Sequence, residues 1–495
     1  MTVRSKIVHA LGGWLVLAAM ALGLGGCATN PVSGQEDFVL LSQSQELAIG
    51  RQENPKVIKE FGKYDNASLQ AYINEVGQRL ARHSHRPDLN YHFTLLDSDD
   101  VNAFALPGGY IYITRGLLAY LNSEAELAAV LGHEIGHVTA RHSVRQISAA
   151  QAANLGYSLG AILVPELQQA GAQDLFNVLS TAWIRGYGRE HELEADRLGA
   201  EYLARVGYDP HAMIEVIKVL KHQEQFAVQV AREEHRQPQV YHGVFATHPD
   251  NDTRLQQVVG EANRLKGGQI TRGNNHLGFL HQLQGLTYGP SARQGIVRGN
   301  HFYHRELDFG LDLPAGWQVD NLPDALIVSA PGEVAALQVT VDELKGQSPL
   351  QYLLKRFGVD HISEGRPLDV GHLPGYTGIV PLRTRYGTRQ SRIAALFYHQ
   401  RAYLFIGISQ KAADRARFDG PFLDTFRSFH ALSAAEQAKA EPLRIHLLTV
   451  TAQSRYETLA RHSALPAHAA AILRLLNNDY PAGEPRPGEL LKVVE

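Results

Sequence analysis

Two histidines four residues apart, with a glutamate directly after the first, stand in VLGHEIGHVTARH, residues 130–142. Residues at i and i+4 share one face of a helix, so His133 and His137 can grip one metal ion through their imidazole nitrogens. Glu134 projects about 100° around the helix from His133, where it can reach a metal-held water instead of the metal. Zinc lowers the pKa of such a water to about 7, and a carboxylate beside it can take the proton as the water attacks a carbonyl. The same residues also suit a solvated helix face that needs no metal. A third ligand decides between the two.

RGYGREHELEADRLGAEYLARVGYDP, residues 185–210, supplies a candidate. Its pattern is helical, with Glu192 and Asp196 on one face. Glu192 completes a His-His-Glu set whose fourth position stays open to water, the arrangement of a catalytic rather than a structural zinc. Asp196, one turn on, is placed to accept from a ligand histidine's other ring N–H and so fix its tautomer. Its alternative is a surface carboxylate paired with Arg197 or Arg189. Glu194 and His191 are rival ligands by proximity, but Glu194 points off the Glu192 face, and Glu192 is preferred. His142 and His191 read as solvated.

These side chains need rigid elements beneath them. Ser123-Glu124-Ala125-Glu126 has capping-box spacing, so a helix is expected from about Glu124 to around Gln146. Helical periodicity begins near Ser44 and runs through Leu69 to Leu80. Tyr91–Leu96 and Gly109–Thr114 alternate at period two and predict strands. Between the two metal-bearing helices, residues 150–182 are rich in Ala, Leu and Gly and read as core, or otherwise as a lid over the cleft or a membrane-contacting segment.

The opening residues bear on where this chemistry takes place. Arg4 and Lys6 precede an apolar run from Ile7 to about Gly25, which ends in Leu-Gly-Gly-Cys27. That reads as a secretory signal over residues 1–27; an uncleaved transmembrane helix is the alternative. Cys27 is the only cysteine, so an internal disulfide is excluded. The run resembles a bacterial lipobox, which implies lipidation of Cys27. With Ala28 following, the similarity to Gram-negative lipoproteins implies a periplasmic protein anchored to the outer membrane. With 44% hydrophobic and 20% charged residues and a net charge of -3, the chain is globular and nothing in it suggests nucleic acid.

NPVSG (30–34), NAFALPGGYIYITRGLL (102–118), SEAELAAVLGHEIGHVTARHS (123–143), REHELEADRLGAEYLARVGYDP (189–210) and THP (247–249) together resemble the HtpX, BepA and Oma-type zinc metallopeptidases of the gluzincin clan. The resemblance covers about residues 30–265. It implies a mainly helical metallopeptidase domain with a small sheet, one zinc ion per chain, and Glu192 as third ligand through the E-x-x-A-D register. It also implies that Asn102, Ala103, Phe104 and Ala105 lie on an edge strand that binds substrate backbone as an added strand; from the residues alone they could equally end a buried strand. His248 is then expected near the zinc, as a blocking fourth ligand or as a donor to the oxyanion. Arg254 is a weaker oxyanion candidate.

A multidomain chain is expected overall: the metallopeptidase domain over 28–265, a glycine-rich but packed connection over 266–299, an α+β domain with antiparallel sheet over 300–435, and a βααβ module over 440–495. In the α+β domain, strands are expected at 307–313, 325–329, 336–341, 377–382, 391–398 and 402–409, with helices at 349–357 and 412–429. The last module resembles LysM, except that Gln453-Ser454-Arg455 stands where a Gly-Asp-Thr turn belongs, which puts glycan binding in doubt. No tetratricopeptide-like repeat is evident at the C-terminus, a difference from the BepA-type branch. The function expected is a zinc endopeptidase acting on unfolded or misassembled envelope proteins. The partners expected are such proteins or peptides, the membrane through the lipid anchor, and peptidoglycan or envelope assembly machinery. Two alternatives are an assembly chaperone or scaffold with a gated zinc site, and a peptidoglycan-associated hydrolase.

Overall fold

The computed structural model describes residues 27–149, 187–234, 251–265, 270–322, 325–465 and 467–495. The apolar run of the signal, residues 150–182 and the THP motif with His248 lie outside them. Two compact units emerge: one is formed by the chain to Tyr288 together with Arg444–Glu495, the other by Gly289–Leu443.

The first unit opens with a hairpin, β1 (Cys27–Thr29) and β2 (Glu36–Phe38). The helical periodicity from Ser44 resolves into two helices, α1 (Gln43–Phe61) and α2 (Ala67–Ala81). A capping box at Ser42 starts α1, and Gly62 at φ 72° stops it. The Asn66 side chain, accepting from the Leu69 N–H, starts α2. Strands β3 (His92–Leu96), β4 (Ala103–Leu106) and β5 (Tyr110–Thr114) form a sheet in the order β3-β5-β4, with β3 parallel and β4 antiparallel to β5. Helix α3 (Arg115–Tyr120) leads into α4 (Glu124–Thr139), which Ser123 caps and which is buried along its whole length. A helix buried on every side is a core element, so the histidine motif sits in the middle of this unit. The unit continues with α5 (Arg189–Arg205), α6 (Ala212–Glu233), α7 (Asn251–Leu265), α8 (His276–Gln282) and the short β6 (Thr287–Tyr288).

One boundary differs from expectation in a way that matters. Helix α4 does not run on to Gln146. It ends at Thr139, and Arg141 takes a left-handed conformation at φ 56° before helical backbone resumes at His142. Such a conformation costs a non-glycine residue on the order of 1 kcal/mol, and side-chain pairing offsets it. Arg141 Nε donates to buried Glu46 at 3.0 Å and Nη2 to the Leu41 carbonyl at 3.1 Å. Arg86 reaches the same glutamate at 2.7 Å.

The second unit carries β7 (Ile296–Arg298), β8 (His301–His304) and β9 (Phe309–Asp312) as one small antiparallel sheet. A seven-stranded antiparallel sheet follows: β10 (Gln318–Asn321), β11 (Leu326–Ser329), β12 (Ala335–Glu343), β13 (Ser363–Pro367), β14 (Gly375–Thr384), β15 (Gly387–Tyr398) and β16 (Arg401–Ser409), in the order β10-β11-β12-β16-β15-β14-β13. His399 and Gln400, both at positive φ, turn β15 into β16, the backbone a two-residue hairpin loop demands. Helix α9 (Pro349–Phe357) covers one face through Tyr352 and Leu353, and α10 (Arg415–Arg427) covers the other through Phe418, Phe422 and Phe426. The expected α+β layout is therefore present.

The C-terminal segment folds as β17 (Leu443–Thr449), α11 (Tyr456–His462), α12 (Ala469–Leu476) and β18 (Leu490–Val494). Its strands pair antiparallel, and β6 extends them into the order β18-β17-β6 through mutual 2.8 Å bonds of Ile445 with Gly285 and Leu286. It belongs to the first compact unit and does not form a third. No helix among the described residues is long and apolar enough to cross a membrane.

Candidate metal centre

Close approach of α4 and α5 builds the site. Gly132 and Gly136 on α4 face Gly199 and Ala195 on α5. A Cβ at Gly136 would stand 2.9 Å from the Ala195 carbonyl, and one at Gly199 3.0 Å from His133 N. Only glycine lets the backbones pack this tightly. The face of α5 bearing Glu192 and Asp196 is thereby pressed against the face of α4 bearing His133 and His137.

His133, His137 and Glu192 converge, all three buried. The two Nε2 atoms lie 3.0 Å apart, His137 Nε2 is 3.4 Å from Glu192 Oε1, and His133 Nε2 is 3.5 Å from Glu192 Oε2. Ligands at zinc bond lengths on three corners of a tetrahedron are separated by about 3.3 Å. The three separations bracket that value, and two imidazoles with one carboxylate are a zinc donor set, so the residues fit the ion.

Asp196 lies behind His133, its Oδ1 2.8 Å from His133 Nδ1. It is not a surface carboxylate: it is 1% exposed, and its partner is neither Arg197 nor Arg189 but Arg254 of α7. Arg254 Nε and Nη2 donate to its two oxygens, both at 2.7 Å, while Nη1 lies 3.4 Å from Glu192. Burial alone would raise the Asp196 pKa; the guanidinium outweighs it and holds the carboxyl below its usual range. Burial likewise lowers the His133 pKa, but Asp196 overrides it and brings the ring up to about 9. Entry of a metal must therefore displace a proton.

Glu134 is 1% exposed and borders a small pocket together with His133, Arg254 and Ala103 of β4. Apolar residues of α3, α4 and α6, among them Leu117, Val130, Met213 and Ile217, line the remainder. Of the predicted strand Asn102–Ala105, Asn102 precedes β4, and its backbone pairs with Thr114. Phe104 is buried and stacks on Tyr112 at 4.9 Å. Within its sheet β4 stands at the end of the order, and by the alternation of an antiparallel ladder the backbone groups of Ala103 and Ala105 face away from β5.

His142, read as solvated, is not. His142 is 0% exposed; its Nδ1 lies 2.8 Å from His137 Nδ1 and its Nε2 3.1 Å from Glu194 Oε2. His191 is half-buried and stacks on His142 at 4.3 Å. On a continuous helix, His142 would point about 140° away from His137. The break at Ala140–Arg141 brings it back, and Arg141 gives no local signal for such a break. The hydrogen bond from His142, with Arg145 beside it, holds Glu194 down at about 2. Tyr187, which sequence reasoning also missed, stacks on His137 at 4.1 Å.

The sequence model of Peptidase family M48 matches residues 67–262, a span that includes every one of these groups. The Beta-barrel assembly-enhancing protease of Escherichia coli (strain K12) is 32% identical over 367 residues, 69% of this chain and 72% of that protein. Its Yersinia pestis counterpart is 32% identical over 336 residues, 64% of this chain and 67% of that protein. Mitochondrial metalloendopeptidase OMA1 of Arabidopsis thaliana is 37% identical over 153 residues, 31% of this chain and 30% of that protein. Similarity to the assembly-enhancing proteases thus extends well past the 67–262 span.

Proposed function

The chain belongs to peptidase family M48 and is a metalloendopeptidase, and from this premise we propose that it is a zinc enzyme in which His133, His137 and Glu192 hold the ion and Glu134 is the catalytic base. The observation that carries the reading is the convergence of these three buried donors, with Asp196 and Arg254 behind His133. Zinc, when bound, supplies a Lewis acid that polarises the scissile carbonyl and makes water acidic at neutral pH.

The remaining work falls to the chain's own groups. The Glu134 carboxylate takes a proton from the attacking water and passes it to the leaving amine. Asp196 keeps the proton of His133 on Nδ1, so that Nε2 stays a donor to the metal. An extended substrate segment adds along β4, where the outward-facing backbone of Ala103 and Ala105 supplies the edge. The apolar wall from α3, α4 and α6 excludes water from the reacting carbonyl. His248, outside the described residues, is proposed as a resting-state zinc ligand or an oxyanion donor.

The physiological substrates we propose are unfolded or misassembled proteins of the bacterial envelope. The likeness to assembly-enhancing proteases and the lipobox-like Leu-Gly-Gly-Cys27, which directs a lipid anchor to the periplasmic face of the outer membrane, support this. The decisive experiment measures zinc content and casein cleavage of the purified protein and of Glu134→Gln. One zinc in both and cleavage only by the unmutated protein is the expected result. Equal cleavage by Glu134→Gln, or absence of zinc from both, overturns the assignment.

A further inference from the structure

We propose that His142 and Glu194 form a positioning relay behind His137, which fixes the second metal ligand as Asp196 fixes the first. This rests on the zinc reading of the His133–His137–Glu192 cluster. A metal-bound histidine almost always donates its other ring N–H to a partner that sets the tautomer, orients the ring and raises its basicity. For His133 that partner is a carboxylate clamped by an arginine. For His137 it is another imidazole, His142, with the two Nδ1 atoms 2.8 Å apart.

Two imidazole nitrogens share a hydrogen bond only when one carries the proton and the other offers its lone pair. Binding a metal through Nε2 leaves the His137 proton on Nδ1, so His137 donates and His142 accepts. His142 must then carry its own proton on Nε2, the atom 3.1 Å from Glu194 Oε2. Glu194 is an acceptor only, and Arg145 Nη1 at 3.3 Å holds it in place. The chain of bonds therefore has one self-consistent direction, from His137 through His142 to Glu194.

Helix α5 thus serves both histidines from one short stretch, Glu192-Leu193-Glu194-Ala195-Asp196. Glu192 enters the ligand set, Asp196 on the same face backs His133, and Glu194, off that face, meets the segment that turns back after Arg141. The left-handed residue and its salt bridge to Glu46 are what bring His142 to His137. Glu194 is accordingly a positioning residue, and its pointing away from the metal is the condition of its role.

The test is zinc affinity, measured by competition with a chromophoric chelator, beside the thermal unfolding of the metal-free proteins. His142→Phe keeps the ring volume and removes the acceptor; its zinc affinity is expected to fall about 10–100-fold. His142→Gln retains an oxygen to accept from His137 and an amide to donate to Glu194, and is expected to recover most of that loss. A merely structural role would leave the two variants alike, since both disturb the packing. Should His142→Phe not fold, Glu194→Ala at the more exposed end of the relay is expected to weaken zinc binding several-fold. The proposal is overturned if the unmutated protein binds one zinc and neither His142→Phe nor Glu194→Ala weakens it, or if Gln and Phe at 142 weaken it equally. Failure of the unmutated protein to take up zinc would remove the zinc reading itself, and this relay with it.

Discussion

Arg254 and Asp196 form a two-pronged ion pair, Nε to Oδ2 and Nη2 to Oδ1 at 2.7 Å each, inside the wall of the metal site. Removing one partner of such a buried pair strands the other charge, at a cost of about 3–5 kcal/mol. Arg254→Met should therefore lower the unfolding free energy of the metal-free protein by that order, as read by urea denaturation. Arg254→Lys should recover only part of it, because an ammonium cannot match both carboxylate oxygens. A change below about 1 kcal/mol in Arg254→Met would show that His133 or a proton compensates Asp196 without it.

Gly136 makes a second prediction because helix propensity and packing disagree there. Alanine is the better helix former by about 1 kcal/mol, yet its Cβ would meet the Ala195 backbone oxygen at 2.9 Å. Packing should win, with Gly136→Ala destabilising by about 1–3 kcal/mol. It should also weaken zinc binding, since the helix pushed away carries Glu192. Gly260 on α7 is the control: nothing lies within 4 Å of its Cβ position, so Gly260→Ala should stabilise by about 0.5–1 kcal/mol. Thermal unfolding of both variants decides, and equal effects would remove the argument from helix crossing.

What could be read from the sequence follows from how local the cause was. His133 and His137 were legible as a pair because i, i+4 spacing on a helix is a local rule, and Ser123 announced where that helix begins. The seven-stranded sheet was legible in its longer strands, whose apolar runs stand between turn residues, and less so at the fully exposed Ser363–Pro367. His142 was misread because its placement depends on Arg141, whose left-handed backbone is held by Glu46 from a helix 95 residues away. The grip of Arg254 on Asp196 spans 58 residues and has no spacing rule. The C-terminal segment gave its element order but not its attachment, since that is decided by a lysine in an otherwise apolar strand.

His304 carries a pH dependence of the second unit. Burial first, then the nearby Arg401 charge, lower its pKa from about 6.5 to about 4. Its Nδ1 accepts the Leu307 N–H at 3.3 Å, which requires the neutral ring. Between those values the unfolded chain binds a proton that the folded one refuses, so stability rises with pH across the window. The contribution is complete above about pH 6.5 and gone below about pH 4, and amounts to about 2 kcal/mol for a partly exposed ring. Urea unfolding of this unit at pH 4.5 and 7 should show the difference, and His304→Phe should remove most of it. An unchanged slope in the variant would assign the dependence elsewhere.

Lys492 of β18 is wholly buried, and its ammonium donates to the carbonyls of Ala119 and Leu121, both at 2.7 Å. Those carbonyls close α3 just before Ser123 opens α4, so a residue of the last strand holds the joint from which the histidine helix starts. Burial lowers the lysine's pKa to about 7, opposed by the charge of Glu126 in the first turn of α4. The two short bonds to the carbonyls offset part of the cost of burying this amino group. Lys492→Met should leave both without that donor and cost about 2–4 kcal/mol, seen as a lower unfolding temperature of the first unit. Removal of residues 444–495 should cost more, since β6 would also lose Ile445. A terminal module that merely hung from the enzyme would leave that temperature unchanged in both variants, and such a result would detach the last strand from the metal helix.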